Sequence, residues 1–331
     1  METGFLCEQK LKREDPALHL LFTNSVVCMQ QMLNKYQVIF PTYTDHTVLH
    51  SLEVIDFCNL LIGERIDQLN ADEIYVLLMS AYLHDSGMGI TQKDFQEFSR
   101  NLSFGDYFER HPDARVPDII RDFHQEFSGA YIKKYAEVFE IPSAEHIFAI
   151  VQTSRGHRKT DLSDSEQYPS DYQAPNGNRL CLPYLAVLLR LADELDIAAE
   201  RNLQFMYDES AIDNEYSRME FRKHRAIRRV TVTEEAFFLD VNGEDAEAYR
   251  EVEKMVDKLT DTLNECRQVA ESRTPFRISQ KRVLMRMCGG NRTEGQGSGG
   301  MVKTGGEQGA AGVNGEKGSA YGRKENCIYR N

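Results

Sequence analysis

The sequence predicts a mainly α-helical protein with a small C-terminal α+β extension and a disordered tail. Three observations lead there. From about residue 15 to 205, apolar residues recur at helical spacing between capping and breaking residues. After Asn202, short runs of β-formers flank a charged turn. Beyond Cys288 the chain is glycine-rich and has no apolar period. The divisions read as 1–205, 206–285 and 286–331.

Taken in order, residues 18–36 form a long apolar-periodic stretch. The next helix begins near Thr44 or Asp45, either of which suits an N-cap, and runs to about Gly63. Asp72-Glu73 opens a third, whose body IYVLLMSAYL is apolar almost all round and so belongs in the centre of the core. It ends at His84-Asp85, followed by the breaker string Ser86-Gly87-Met88-Gly89. Further helices are predicted over 92–101, 117–139, 144–153 and 182–199. Pro117, Pro142 and Pro183 fall near helix starts, where a missing N–H does least harm. Residues 229–233 and 236–241 read as a hairpin around Glu234-Glu235, and 246–272 as a charged amphipathic helix.

The 331 residues are 41% apolar and 27% charged, ordinary for a globular protein. No run of 18 apolar residues occurs, and the start METGFLCEQKLKRED lacks a hydrophobic signal core, so a cytoplasmic protein without membrane partners is expected. Seven scattered cysteines without a CxxC pair read as free thiols in a reducing compartment. A net charge of −13 argues against a broad nucleic-acid surface. An anionic substrate would have to be held by a few focused cations or by metal.

The stretch YTDHTVLHSLEVI places His46 and His50 about one helical turn apart, on one face. The adjacent pair His84-Asp85 stands at the end of an apolar helix. Side chains so placed converge on one ion only at a helix end, and the Ser-Gly that follows makes such a turn easy. A buried aspartate needs a partner, and a divalent cation is a natural one. Asp193 likewise interrupts an apolar stripe in LAVLLRLADELDI, with Arg190 three residues earlier. His50, His84, Asp85 and Asp193 together make a ligand set suited to Mn, Fe, Zn, Ni, Co or Mg.

The order His…His-Asp…Asp, with HSLEV around the first, AYLHDSGMG around the doublet and LRLADELD around the last, resembles the HD-domain superfamily of metal-dependent phosphohydrolases. The similarity spans roughly residues 40–200. With its Tyr-Thr-Asp-His start and RLADELDI…RN end the chain resembles more particularly the HD proteins with a C-terminal extension, relatives of which are linked to heat-shock-type ATPases. The resemblance implies an HD-type helical bundle with metal on His50, His84, Asp85 and Asp193. It also implies a second ion on Asp85, His124 and His157, giving one or two ions per chain and hydrolysis of a nucleotide or other phosphate ester by metal-activated water. HTVLH has the offset of the H-N-x-x-H of cyclic-nucleotide phosphodiesterases, which makes His46 the acid toward the leaving oxygen, although Thr47 replaces the Asn. Many relatives carry lysine where Met88 stands.

Arg155, Arg158 and Lys159 either bind phosphate or form a solvated loop. Arg190 either joins them or neutralises Glu194. The catalytic set is thus His46, Asp85, Arg158 and Arg190. Asp196 and Glu194 support rather than ligate, and His19, His111, His146 and His224 are structural. The partners expected are a small phosphorylated substrate, a nucleotide by preference, and either a second copy of the chain or an ATPase-type protein. The competing class is a non-catalytic regulatory module that binds a nucleotide or a partner. A third class is oxygenase chemistry at a mixed-iron site, which bridged-diiron spectra would reveal.

Overall fold

A computed structural model describes residues 6–33, 48–158, 160–198, 215–288 and 303–304 of the chain. His46, Lys159, the helix start at Thr44 or Asp45, and nearly all of the expected tail lie outside the described residues.

The amino-terminal part is helical. Helices α1 (Leu6–Glu14), α2 (Pro16–Leu33), α3 (Val48–Ile62), α4 (Ala71–Leu83), α5 (Gln92–Phe98), α6 (Tyr107–Arg110), α7 (Val116–Lys134), α8 (Ala144–Arg155) and α9 (Leu182–Leu195) follow in order. Every residue of α4 is buried, as its all-round apolar sequence requires. Asn70 caps α4, accepting from the N–H of Glu73 while the Glu73 carboxylate accepts from the N–H of Asn70. Pro117 and Pro183 sit in the first turns of α7 and α9. Against expectation, α5 ends at Phe98, α7 at Lys134 and α9 at Leu195. Residues 135–140 carry apolar spacing into turns, so periodicity alone overran the helix.

The extension adds α10 (Glu215–Ala226), β3 (Ile227–Val232), β4 (Ala236–Asn242), α11 (Ala246–Arg273) and β5 (Arg282–Cys288) to the short pair β1 (Tyr172–Gln173) and β2 (Arg179–Leu180). The expected hairpin is present, with Val230 opposite Leu239. The strand after it was not expected. β5 lies parallel to β4, pairing Ala236 with Arg282 through Asn242 with Cys288, with α11 as the crossover. Its buried Val283 and Met285 alternate with exposed Arg282 and Arg286. This strand runs through the expected division at 285/286. Lys303–Thr304 adds a two-residue strand, β6, antiparallel to β5, inside the stretch read as tail.

One apolar core joins the two parts. Leu185, Leu188, Leu189 and Leu191 of α9 and Ile74, Leu77, Leu78 and Ala81 of α4 share it with Phe237, Leu239, Val252, Leu259 and Leu263 of the extension. A smaller aromatic-rich cluster, built on Met88, Phe98, Tyr107, Ile119, Ile120 and Phe127, lies between the turn after the doublet and α7. Among the described residues no helix is long and apolar enough to cross a membrane.

Candidate metal centre

Four helices deliver histidines to one buried place. His50 comes from α3, His84 caps the C-terminus of α4, His124 lies in α7, and His157 follows the end of α8. All four are buried, as is Asp85. The turn Ser86–Gly89 that follows the doublet presses its backbone against α7. A Cβ added at Gly87 would lie 2.3 Å from the His124 carbonyl oxygen and 2.5 Å from the Ser128 nitrogen. The Gly87 N–H donates to Ser128 Oγ at 2.8 Å. Glycine is therefore required because two backbones meet there, and the contact fixes the doublet relative to His124.

Each ring is oriented by its Nδ1. His84 donates to the carbonyl of Ala81 at 3.0 Å, His124 to that of Arg121 at 2.6 Å, and His157 to that of Ser154. The acceptor is three residues back every time, at a helix end or, for His124, beside the kink at Phe123 (φ −119, ψ 17). Carbonyls near a helix C-terminus lack helical partners and accept readily. His50 is the exception: its Nδ1 donates to the carboxylate of Asp196. With Nδ1–H so engaged, a ring in its neutral form presents an Nε2 lone pair to the centre.

Those lone pairs converge in two pairs. His50 Nε2 and His84 Nε2 are 3.1 Å apart, and His124 Nε2 and His157 Nε2 are 2.9 Å apart. Asp85 stands between. Its Oδ2 is 3.6 Å from His50 Nε2 and 3.4 Å from His84 Nε2, whereas its Oδ1 is 3.3 Å from His124 Nε2 and 3.6 Å from His157 Nε2. Asp193 joins the first pair, with Oδ1 3.3 Å from His50 Nε2 and 3.7 Å from His84 Nε2. In each triad, His50–His84–Asp85 and Asp85–His124–His157, the ligand atoms all lie within 4.8 Å of one another. The structure brings together the six residues expected as ligands, while His46, expected as the acid, lies outside the described residues.

The two halves differ electrostatically. Burial pushes His84 down, but Asp85 and Asp193 outweigh it and lift it to about 10, so a proton can sit between His50 and His84. Burial raises Asp193, yet the His50 and His84 imidazoles hold it well below the usual carboxylate range. In the other half, burial lowers His124, helped by the charge of Arg158. Burial and the neighbouring His84 and His124 push His157 far down as well. Neither of those rings takes a second proton, so two acceptors face each other 2.9 Å apart beside a carboxylate. A divalent ion satisfies such a donor set, and imidazole with carboxylate suits the borderline-hard metals.

The cations fall out differently from expectation. Arg190 does not face the centre and does not pair with Glu194. Its guanidinium donates to the carbonyls of Gly156, Arg158 and Thr160 and to Glu265, while Glu194 pairs with Lys258 at 3.0 Å. The sequence shows four-residue spacing but not a carboxylate 75 positions away. Arg155 is also committed, to both oxygens of Glu126. Arg158 is exposed, and its charge reaches His124. Met88 is buried in the aromatic-rich cluster, so the lysine position of many relatives here serves packing.

Asp196, expected to support rather than ligate, accepts from His50 Nδ1 just past the end of α9, and the sequence does not name that partner. The histidines read as structural have other company. His19 meets Glu8, His111 stacks near Tyr107, His146 meets Asp72, and His224 donates to the Ile197 carbonyl.

A helical bundle that gathers His, His-Asp, His, His and Asp in this order defines an HD-type domain. The sequence model of the HD-CE family matches residues 40–265, more than half of the chain, and the protein belongs to that family. No curated protein and no solved structure matches it.

Proposed function

We propose that the protein is a metal-dependent phosphohydrolase acting on a nucleotide or other small phosphate ester. One observation carries the reading: Asp85 turns one oxygen toward each of two imidazole pairs whose Nε2 atoms have no proton donor of their own in the second half. His50, His84, Asp85 and Asp193 would hold one ion, and Asp85, His124 and His157 a second. Such ions supply a lowered water pKa and positive charge opposite a phosphoryl oxygen.

The chain's own residues then have separate tasks. Asp196 and the three carbonyls hold the rings with Nε2 inward, so no reorientation is needed when an ion arrives. Arg158, exposed beside His124, is the residue proposed to meet a substrate phosphate, where a planar guanidinium gives two-point contact. His46 as the acid toward the leaving oxygen is a further proposal.

The test incubates protein loaded with Mn²⁺ with nucleotide and phosphodiester panels, beside His84→Ala and Asp85→Ala. Turnover of at least one substrate, lost in both variants, is expected. Turnover indifferent to both changes would sink the reading.

A second reading, a regulatory module that binds a nucleotide without cleaving it, draws on a different observation. Arg155 and Arg190 are committed to structural partners and Met88 stands in the lysine position, which thins the phosphate-binding charge. Tight nucleotide binding without product at full metal loading would favour it.

A further inference from the structure

Residues 156–168 follow α8 and carry both His157 and Arg158. Two arginines hold the backbone of this stretch, and both are tied to α11 of the extension. Arg190, only 4% exposed, donates Nε to the Gly156 carbonyl at 2.8 Å and Nη2 to the carbonyls of Arg158 and Thr160. Its Nη1 donates to Glu265 of α11 at 2.9 Å. Arg273, the last residue of α11, donates to the carbonyls of Leu162 and Tyr168, each at 3.0 Å. The Thr160 and Tyr168 hydroxyls, 2.8 Å apart, join the two held points.

The start of the stretch has little room to move. A Cβ at Gly156 would lie 2.5 Å from Cβ of Ala186 in α9. α11 is itself anchored, with Leu259, Leu263, Cys266, Val269 and Ala270 buried. Glu265, its own side chain 55% exposed, is the anionic partner of a buried cation otherwise held by three carbonyls and the Thr160 hydroxyl, and a buried cation stripped of its anion rearranges or draws in water.

We propose that α11 positions the His157 half of the centre, with Arg190, Glu265 and Arg273 as positioning residues acting through the backbone of residues 156–168. The extension is then part of the centre's framework: whatever displaces α11 unloads the His124–His157 half first. This rests on the reading that the centre has two half-sites.

The test titrates the ion-free full-length chain with Mn²⁺ by calorimetry and follows the coupled two-manganese signal by electron paramagnetic resonance. Wild type, His157→Ala, Glu265→Ala, Glu265→Gln and Arg273→Ala are compared. Wild type takes two ions, and His157→Ala takes one. In Glu265→Ala and Arg273→Ala the first ion binds as in wild type and the second about tenfold more weakly, the cost typical of losing an outer support of a ligand. The coupled signal shifts to higher Mn²⁺ to match. Glu265→Gln, which keeps an acceptor for Nη1, recovers most of the loss. Second-ion affinity unchanged in both variants, with His157→Ala still losing one ion, would overturn the inference alone. Equal weakening of both ions would also overturn it, as general loosening. A wild type that takes one ion whether or not His157 is present would overturn the two-half-site reading and the inference with it.

Discussion

Two buried clusters in this protein pair aspartate with histidine, and they solve the problem of a buried carboxylate in opposite ways. Around Asp72, every contact comes from a donor. His146 Nε2 donates to Oδ1 at 3.0 Å, and Asn176 and Asn178 donate to Oδ2 at 2.8 and 2.7 Å. The Ser143 hydroxyl, 2.9 Å from His146 Nδ1, completes the chain. Around Asp85, four ring Nε2 atoms stand at 3.3 to 3.6 Å, and the Nδ1 atoms of those rings are engaged elsewhere. The first cluster is satisfied by side-chain donors; the second turns ring Nε2 atoms and carboxylate oxygens toward one place, a donor set that suits cations. The difference shows that a buried His–Asp contact says nothing of metal until the other ring nitrogen has been followed to its partner.

The largest expected effect falls on the shared carboxylate. Asp85→Ala should remove both ions and reduce hydrolysis to background, whereas Asp72→Asn should leave ion content unchanged. Thermal melts sharpen the contrast. Each ion at about a hundred times its dissociation constant should stabilise wild type and Asp72→Asn by about 2.7 kcal/mol, about 5.4 kcal/mol for two ions, and Asp85→Ala by nothing.

Next is Gly87→Ala, which sets a methyl group against the backbone of α7 and should cost about 3 kcal/mol in chemical denaturation. The loss should reach the centre too, because the same contact positions His124. A stability change under 0.5 kcal/mol would show that the two backbones are not held together as described.

Acid should reach the Asp72 cluster through its own titration. Burial alone would raise Asp72, but hydrogen bonds from His146, Asn176 and Asn178 outweigh it and hold it at about 2 rather than 3.8. A depressed carboxylate stabilises the fold above its ordinary value, and that contribution is lost as pH falls through the folded value. About 2 kcal/mol should therefore disappear between roughly pH 4 and pH 2. Asp72→Asn should flatten this part of the stability–pH curve; an unchanged acid limb would remove Asp72 from the account.

The smallest effect concerns Asp196. Replacing it with Asn keeps the shape but weakens the hold on His50 Nδ1, and should weaken the first ion about tenfold while sparing the second. Ion-by-ion calorimetry reads it, and equal loss at both positions would contradict a role confined to His50.

Much of this was legible in the sequence because it is local. The breaker string after His84-Asp85 and the apolar run of α4 are short-range patterns that report burial correctly, and the aspartate interrupting α9 reports a place at the centre although Asp193 itself is only partly buried. Partnership over long separations was not legible. Arg190 and Glu194 have the spacing of a helical ion pair, yet Arg190 meets Glu265 and Glu194 meets Lys258 because α11 packs on α9. Asp196 finds His50 across 146 positions. β5 is not legible in the sequence for a related reason. Its alternation of Arg282, Val283, Met285 and Arg286 is short and adjoins a glycine-rich stretch, and only pairing with β4 makes it a strand.

The central claim, that Asp85 is shared between two cation-holding half-sites, is tested most directly by counting ions. Equilibrium dialysis of the full chain against Mn²⁺, followed by elemental analysis, should give two ions per chain in wild type and one in His157→Ala. Asp85→Ala should retain none. A wild-type chain that retains no Mn²⁺, or a count that Asp85→Ala leaves unchanged, would contradict the account.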